Sequence, residues 1–204
     1  MVSGKIRKLF EAYSPGLFEE IKRRIEKSEK DYDGNCGDSS LWEHTLHVTS
    51  IAISIAGEEN VELIPVIITA LFHDSGKFIG GEYHNLDIPE EEDSISIAEE
   101  ILNKFMVEER LIRTVTGSLR SLYNEKAKKD KISNIIHDAD FLSKSGPLGI
   151  AVYFTKSVLR KKNIINWLTE SASKEITYAN YLPENMFTEA GKKLAENDKD
   201  YTVK

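Results

Sequence analysis

Cysteine is almost missing from this chain. Cys36 stands alone, so no internal disulfide can form, no paired-thiolate zinc site exists, and nothing nearby makes that thiol reactive. Proline, at 5 residues, and glycine, at 12, are too sparse for a low-complexity linker, and no internal repeat is visible. No stretch approaches the roughly 20 apolar residues of a membrane span. The opening MVSGKIRKLF has no apolar core of signal-peptide length. A cytoplasmic protein without a membrane partner is expected. Excess positive charge is also lacking: 27 Lys and Arg face 34 Asp and Glu, a net charge of -7 that argues against a nucleic-acid backbone as partner. Alternating strand patterns are absent throughout.

What remains is helical periodicity. With 40% hydrophobic and 30% charged residues, the 204-residue chain has the composition of a globular protein and the length of one domain. Ile6, Leu9, Phe10 and Tyr13 share one helical face, and Ser14-Pro15 reads as an N-cap and first-turn proline of the next helix, with Phe18, Ile21 and Ile25 inward. Residues 28–38 read as a loop. Ser40 and Glu43 have capping-box spacing, and Leu41, His44, Val48, Ile51 and Ile55 form the stripe of a helix that Gly57 closes. His47 lies on its wetter side. Pro89 and the acids Glu90, Glu91 and Glu92 open another helix, with Ile95, Ala98, Ile101, Leu102 and Phe105 inward. Leu111, Val115, Leu119 and Leu122 mark the next, residues 124–131 a charged connector, and Ile132, Ile135, Ile136 and Ala139 a further one. Gly146-Pro147 breaks the chain before a helix from Leu148 to about Arg160; residues 163–183 are helical in patches, and an exposed helix ends the chain. The expectation is an all-α, single-domain helical bundle over residues 1–204. Its core would span about 40–160, with N-terminal helices at 3–28 and a C-terminal helix at about 186–198 packed on it.

The stretch at 61–77, VELIPVIITALFHDSGK, is apolar on nearly every face, as suits a helix in the middle of a bundle. Yet it ends in His73-Asp74, and burying an imidazole beside a carboxylate is costly unless something pairs with them. His44 in its own stripe and an aspartate of the Asp138-Ala139-Asp140 run offer the compensation. Periodicity puts Asp138 and Asp140 on opposite flanks and does not choose between them. Two imidazoles and two carboxylates suit one divalent ion of octahedral preference (Mn, Fe, Co, Ni or Mg), with positions left for water or substrate oxygens. Adjacent helical residues diverge by about 100°, so His73 and Asp74 share an ion most readily at a loosening helix end, which Gly76 supplies.

The ordered pattern of His44 in HTLHV, His73-Asp74 in FHDSGK and Asp140 in IIHDADFLSKSG resembles the HD-domain metal-dependent phosphohydrolase superfamily, in particular its small stand-alone bacterial and archaeal hydrolases. MFTEAGKKLAEND resembles the C-terminal segment of that group. The resemblance implies metal ligation by His44, His73, Asp74 and Asp140, with Asp140 preferred to Asp138, which would instead orient a ligating histidine. The two-metal and oxygenase branches carry further histidines on the two intervening helices; here 89–105 and 108–122 contain none, which favours one metal. The expected activity is hydrolysis of a phosphate ester of a nucleotide or other small phosphorylated metabolite, with Asp74, Lys77 and His84 as catalytic residues. Lys77 either complements its helix end or reaches a substrate phosphate; His84 is either a general acid or an exposed loop residue. Asp87 and Glu91 read as helix-start acids, His47 and His137 as surface or supporting residues, and Lys128, Lys129, Lys161 and Lys162 as solvated charges. A homodimer is allowed. The rivals are a catalytically silent metal- and nucleotide-binding module, a nucleotide pyrophosphohydrolase, a cyclic phosphodiesterase and a diiron oxygenase.

Overall fold

The computed structural model describes residues 2–33, 40–81, 90–122, 124, 129–159, 165 and 172–203. Every regular element among them is helical: α1 (Val2–Tyr13), α2 (Leu17–Asp33), α3 (Ser40–Glu58), α4 (Leu63–Phe72), α5 (Glu90–Lys104), α6 (Glu109–Leu122), α7 (Lys131–Leu142), α8 (Gly146–Leu159), α9 (Ala172–Asn185) and α10 (Glu189–Val203), with a short 3-10 turn at Ile79–Gly81. The expected all-α class holds, and no described helix is long and apolar enough to cross a membrane.

The all-round apolarity of α4 has a simple origin: two hydrophobic cores meet at it. Ile67, Ile68, Leu71 and Phe72 join a cluster built with α1, α2, α5 and α6. Val66 and Ala70 join a second one built with α3, α7, α9 and α10. From Pro65 to Phe72 every residue is buried, and helices α3, α5, α6 and α7 all pack on α4. Burying one such aliphatic side chain is worth about 1.5–3 kcal/mol, so α4 is held firmly and its C-terminal end has a fixed place.

Several boundaries differ from the sequence expectation. Helix α2 begins at Leu17, because Gly16 takes φ 80 and completes a turn first, and it runs through much of the expected loop to Asp33. Ser40 does not form a capping box with Glu43. Its hydroxyl donates to Oε1 of the buried Glu29 at 2.7 Å, while Leu41 N donates to Oε2 at 3.0 Å, so α2 supplies the cap of α3. Gly57 lies inside α3. The helix ends at left-handed Asn60 (φ 54), with Val61 N donating to Ala56 O at 2.9 Å, a Schellman ending.

The last helix is longer than expected and is not merely exposed. Gly191 and Ala195 of α10 are buried, and α10 packs against α3, α7, α8 and α9. Lys129 is not simply solvated; its ammonium sits 4.1 Å from the Phe187 ring centroid. Cys36, His84, Asp87, Lys128, Lys161 and Lys162 lie outside the described residues.

Candidate metal centre

Helix α4 closes at Phe72, and His73 and Asp74 occupy the turn that follows. The turn is tight: Ser75 N donates to Phe72 O at 3.0 Å and Lys77 N to Asp74 O at 3.2 Å. Gly76 is required here for closeness of approach. Its N–H donates to Ser94 Oγ at 2.9 Å, and a Cβ on it would stand 2.4 Å from the Glu90 carbonyl oxygen. The start of α5 is thereby clamped onto the His-Asp turn.

His73 is buried, with a side chain 0% exposed. Its Nδ1 lies 2.7 Å from Ala70 O; a carbonyl only accepts, so Nδ1 carries the proton and Nε2 presents a lone pair. That Nε2 is buried and has no hydrogen-bond partner among the described residues. An orphaned buried nitrogen costs about 1–3 kcal/mol, and buried polar atoms are seldom left so. Around it converge His44 from α3 and Asp140 from α7. One donor atom from each of His44, His73 and Asp140 lies within 4.8 Å of the others. His44 Nε2 is 3.3 Å from Asp140 Oδ1 and 3.5 Å from Asp74 Oδ2, and His73 Nε2 is 3.7 Å from Asp74 Oδ2. Asp74 thus touches both imidazoles while its Oδ2 accepts from Lys77 Nζ at 2.9 Å.

The electrostatics follow from crowding two imidazoles, two carboxylates and two lysines. Burial lowers the pKa of His44, but Asp140 and Asp74 outweigh it and the net shift is upward. His73 is lowered by burial, against the pull of Asp74 and Asp140. Burial opposes ionisation of Asp74, yet His73, His44 and Lys77 hold its carboxyl well below the usual range. Asp140 is depressed in the same way: His44, Lys144 and His73 overcome burial. Without metal, the two carboxylates thus draw His44 toward its charged form, while each also accepts from a lysine.

The donor set fits a divalent ion. Neutral imidazole nitrogens and ionised carboxylate oxygens suit Mn, Fe, Co, Ni or Mg, and the lone pair of His73 Nε2 is unspent. A cavity of about 230 Å³ opens beside the cluster, lined by His73, Asp74, Lys77, Glu90, Glu91, Asp140, Phe141 and Lys144.

The sequence model of the HD domain family matches residues 41–145, just over half of the chain and the part that carries these side chains. The chain belongs to the HD domain family. Members typically bind divalent metal ions. No curated protein matches the sequence. Among solved structures, a predicted HD superfamily hydrolase from an uncultured Thermotogales bacterium superposes with a TM-score of 0.64 at 24% identity, over 91% of this chain and 86% of that one. An HD-superfamily hydrolase from Bacillus thuringiensis gives 0.60 at 20% identity, over 92% and 93%. Bacillus subtilis YpgQ gives 0.59 at 18% identity, over 92% of each chain. These likenesses extend the HD fold beyond the matched segment to the flanking helices.

Other expected residues fall elsewhere. Asp138, fully buried, does not orient a ligating histidine. Its carboxylate accepts from Phe187 N at 3.0 Å, Thr188 N at 2.8 Å and Thr188 Oγ1 at 2.7 Å, and so anchors the turn before α10, whose N-cap is Thr188, with Oγ1 accepting from Gly191 N at 2.9 Å. His137, 3.2 Å from Asp138, stacks on Phe141 and meets Phe187 edge-on. His47 is half-buried beside the cluster, its pKa lowered by burial and by His44. Glu91, expected only as a helix-start acid, lines the cavity, and so does Glu90. Sequence reasoning passed over Lys144, whose Nζ donates to Asp140 Oδ2 at 2.8 Å. Its i,i+4 spacing from Asp140 was the available signal.

Proposed function

We propose that this HD-domain protein is a metal-dependent hydrolase of phosphate esters, with one divalent ion held by His44, His73, Asp74 and Asp140. The observation that carries this reading is the fully buried His73, its unpartnered Nε2 aimed at His44 and Asp140 beside a cavity with two lysines. A bound divalent ion would supply Lewis acidity, which generates a water nucleophile near neutral pH and polarises a phosphoryl oxygen.

The rest falls to the chain. Ala70 O fixes the tautomer and aim of His73. Asp74 and Asp140, held ionised by their neighbours, accept hydrogen bonds from an attacking water and orient it. Their depressed pKa values make them orienting groups rather than strong bases. Lys77, with its ammonium at the cavity edge, offsets charge that develops on the phosphoryl oxygens. Nucleotides head the substrates to examine, a choice supported by the structure of YpgQ in complex with ADP. The test is turnover of a panel of phosphate monoesters, diesters and nucleotides by protein loaded with Mn, Fe, Co, Ni or Mg. His73→Ala should abolish it, and His84→Ala tests a general acid. Equal turnover by His73→Ala, or none by the native protein with any metal, sinks the proposal.

A further inference from the structure

We propose that Ser94 of α5 is a positioning residue for the metal centre: its hydroxyl brackets the turn that carries His73 and Asp74 and holds both side chains in place to share one ion. This rests on the metal site of the reading above, not on its phosphate chemistry.

Ser94 is fully buried, on the inward stripe that Ala98 and Ile101 continue, where an apolar side chain would be the ordinary choice. A buried hydroxyl is costly unless it is hydrogen-bonded. Inside a helix it commonly bonds back to a carbonyl one turn earlier. Thr45, Thr49 and Thr69 do so, donating to Leu41 O, Thr45 O and Pro65 O. Ser94 reaches out of its helix instead. Its Oγ accepts from Gly76 N at 2.9 Å and donates to His73 O at 3.3 Å.

Those two groups are the ones that the turn sets free. A continuing α-helix would pair Gly76 N with Phe72 O and Lys77 N with His73 O. Here the chain tightens: Phe72 O accepts from Ser75 N, and Lys77 N donates to Asp74 O. Gly76 N and His73 O thereby lose their helical partners, and one serine hydroxyl, donor and acceptor at once, answers both. The bracket spans His73 and Asp74, whose side chains this backbone aims so that His73 Nε2 lies 3.7 Å from Asp74 Oδ2. Glu90 and Glu91 stand four and three residues before Ser94, on the same face of α5, so the anchor also fixes their wall of the cavity.

The experiment compares native protein with Ser94→Ala and with Ser94→Cys, whose thiol bonds only weakly. Thr69→Val is the control, since it removes a buried hydroxyl from α4 that does not touch the turn. Each is measured for Mn affinity by calorimetry, for the visible spectrum of the Co-loaded protein and for Tm in EDTA. Loss of a group that orients metal ligands costs about 10- to 100-fold in metal affinity. Ser94→Ala should weaken Mn binding by about that factor and alter the Co spectrum, and Ser94→Cys should do so less. Thr69→Val should keep native Mn affinity and Co spectrum whatever its Tm. Native affinity and spectrum in both Ser94 variants, even with a lowered Tm, overturn the positioning role and leave the metal site intact. An equal loss of Mn affinity in Thr69→Val overturns it too, because metal binding would then follow overall stability. A native protein that binds no divalent ion overturns the metal site and this inference together.

Discussion

His73→Leu separates a metal ligand from a satisfied core histidine by the sign of its effect. In the metal-free protein the substitution removes the hydrogen bond from Nδ1 to Ala70 O, worth about 0.5–1.5 kcal/mol. It also removes the buried, unpartnered Nε2, whose burial costs about 1–3 kcal/mol. The balance lies near zero or favours the variant by about 1 kcal/mol. Adding metal reverses the order. At a free concentration about 100 times Kd, the native protein gains about 2.7 kcal/mol, which for a chain of this length raises Tm by about 5–11 °C. The variant, short of one ligand, gains far less. Thermal melts by circular dichroism, in EDTA and then with Mn, read both halves. A metal-free variant destabilised by about 3 kcal/mol or more would show that His73 is a structural residue. A native Tm that ignores every divalent metal would refute the site.

The pH dependence of the metal-free protein tests His44. Its folded pKa is raised above the ordinary value of 6.5, so its contribution is fully present below about pH 6.5 and is lost as pH rises through the folded pKa. Urea melts in EDTA should therefore show native protein ahead of His44→Gln at pH 6 and the gap narrowing by pH 9; a gap that widens with pH contradicts the assignment. Asp138→Ala leaves Phe187 N and Thr188 N without their acceptor and should cost about 2–3 kcal/mol, with Mn stoichiometry retained, whereas Asp140→Ala should abolish Mn binding. Gly76→Ala forces a methyl against the Glu90 carbonyl and should destabilise by about 1–3 kcal/mol while weakening Mn binding, measured by denaturation and calorimetry together.

Much of the site was legible because it obeys short-range rules. A helix as apolar as α4 must be central, and a His-Asp pair at its end needs compensation from elsewhere. What stayed hidden depended on partners distant in the chain. Ser40 and Glu43 satisfy the spacing of a capping box, but Glu29 of α2 arrives first and takes both donors. Gly57 looked like a helix stop, yet left-handed Asn60 ends the helix. Asp138 and Asp140, two residues apart, differ in role because one faces the start of α10 and the other faces His44. Local periodicity cannot see that choice.

By itself the sequence determined the helical class, the central place of α4, the lack of disulfide and paired-thiolate chemistry, and the side chains available to hold an ion. Those depend on hydrophobic period and residue chemistry, which are properties of the chain. Periodicity left the choice of aspartate open and the resemblance favoured Asp140, while tertiary structure alone decided that Gly76 serves close packing and that Lys144 joins the cavity. Each of these turns on an approach of a few ångströms between helices far apart in sequence, and only the packed core sets those distances.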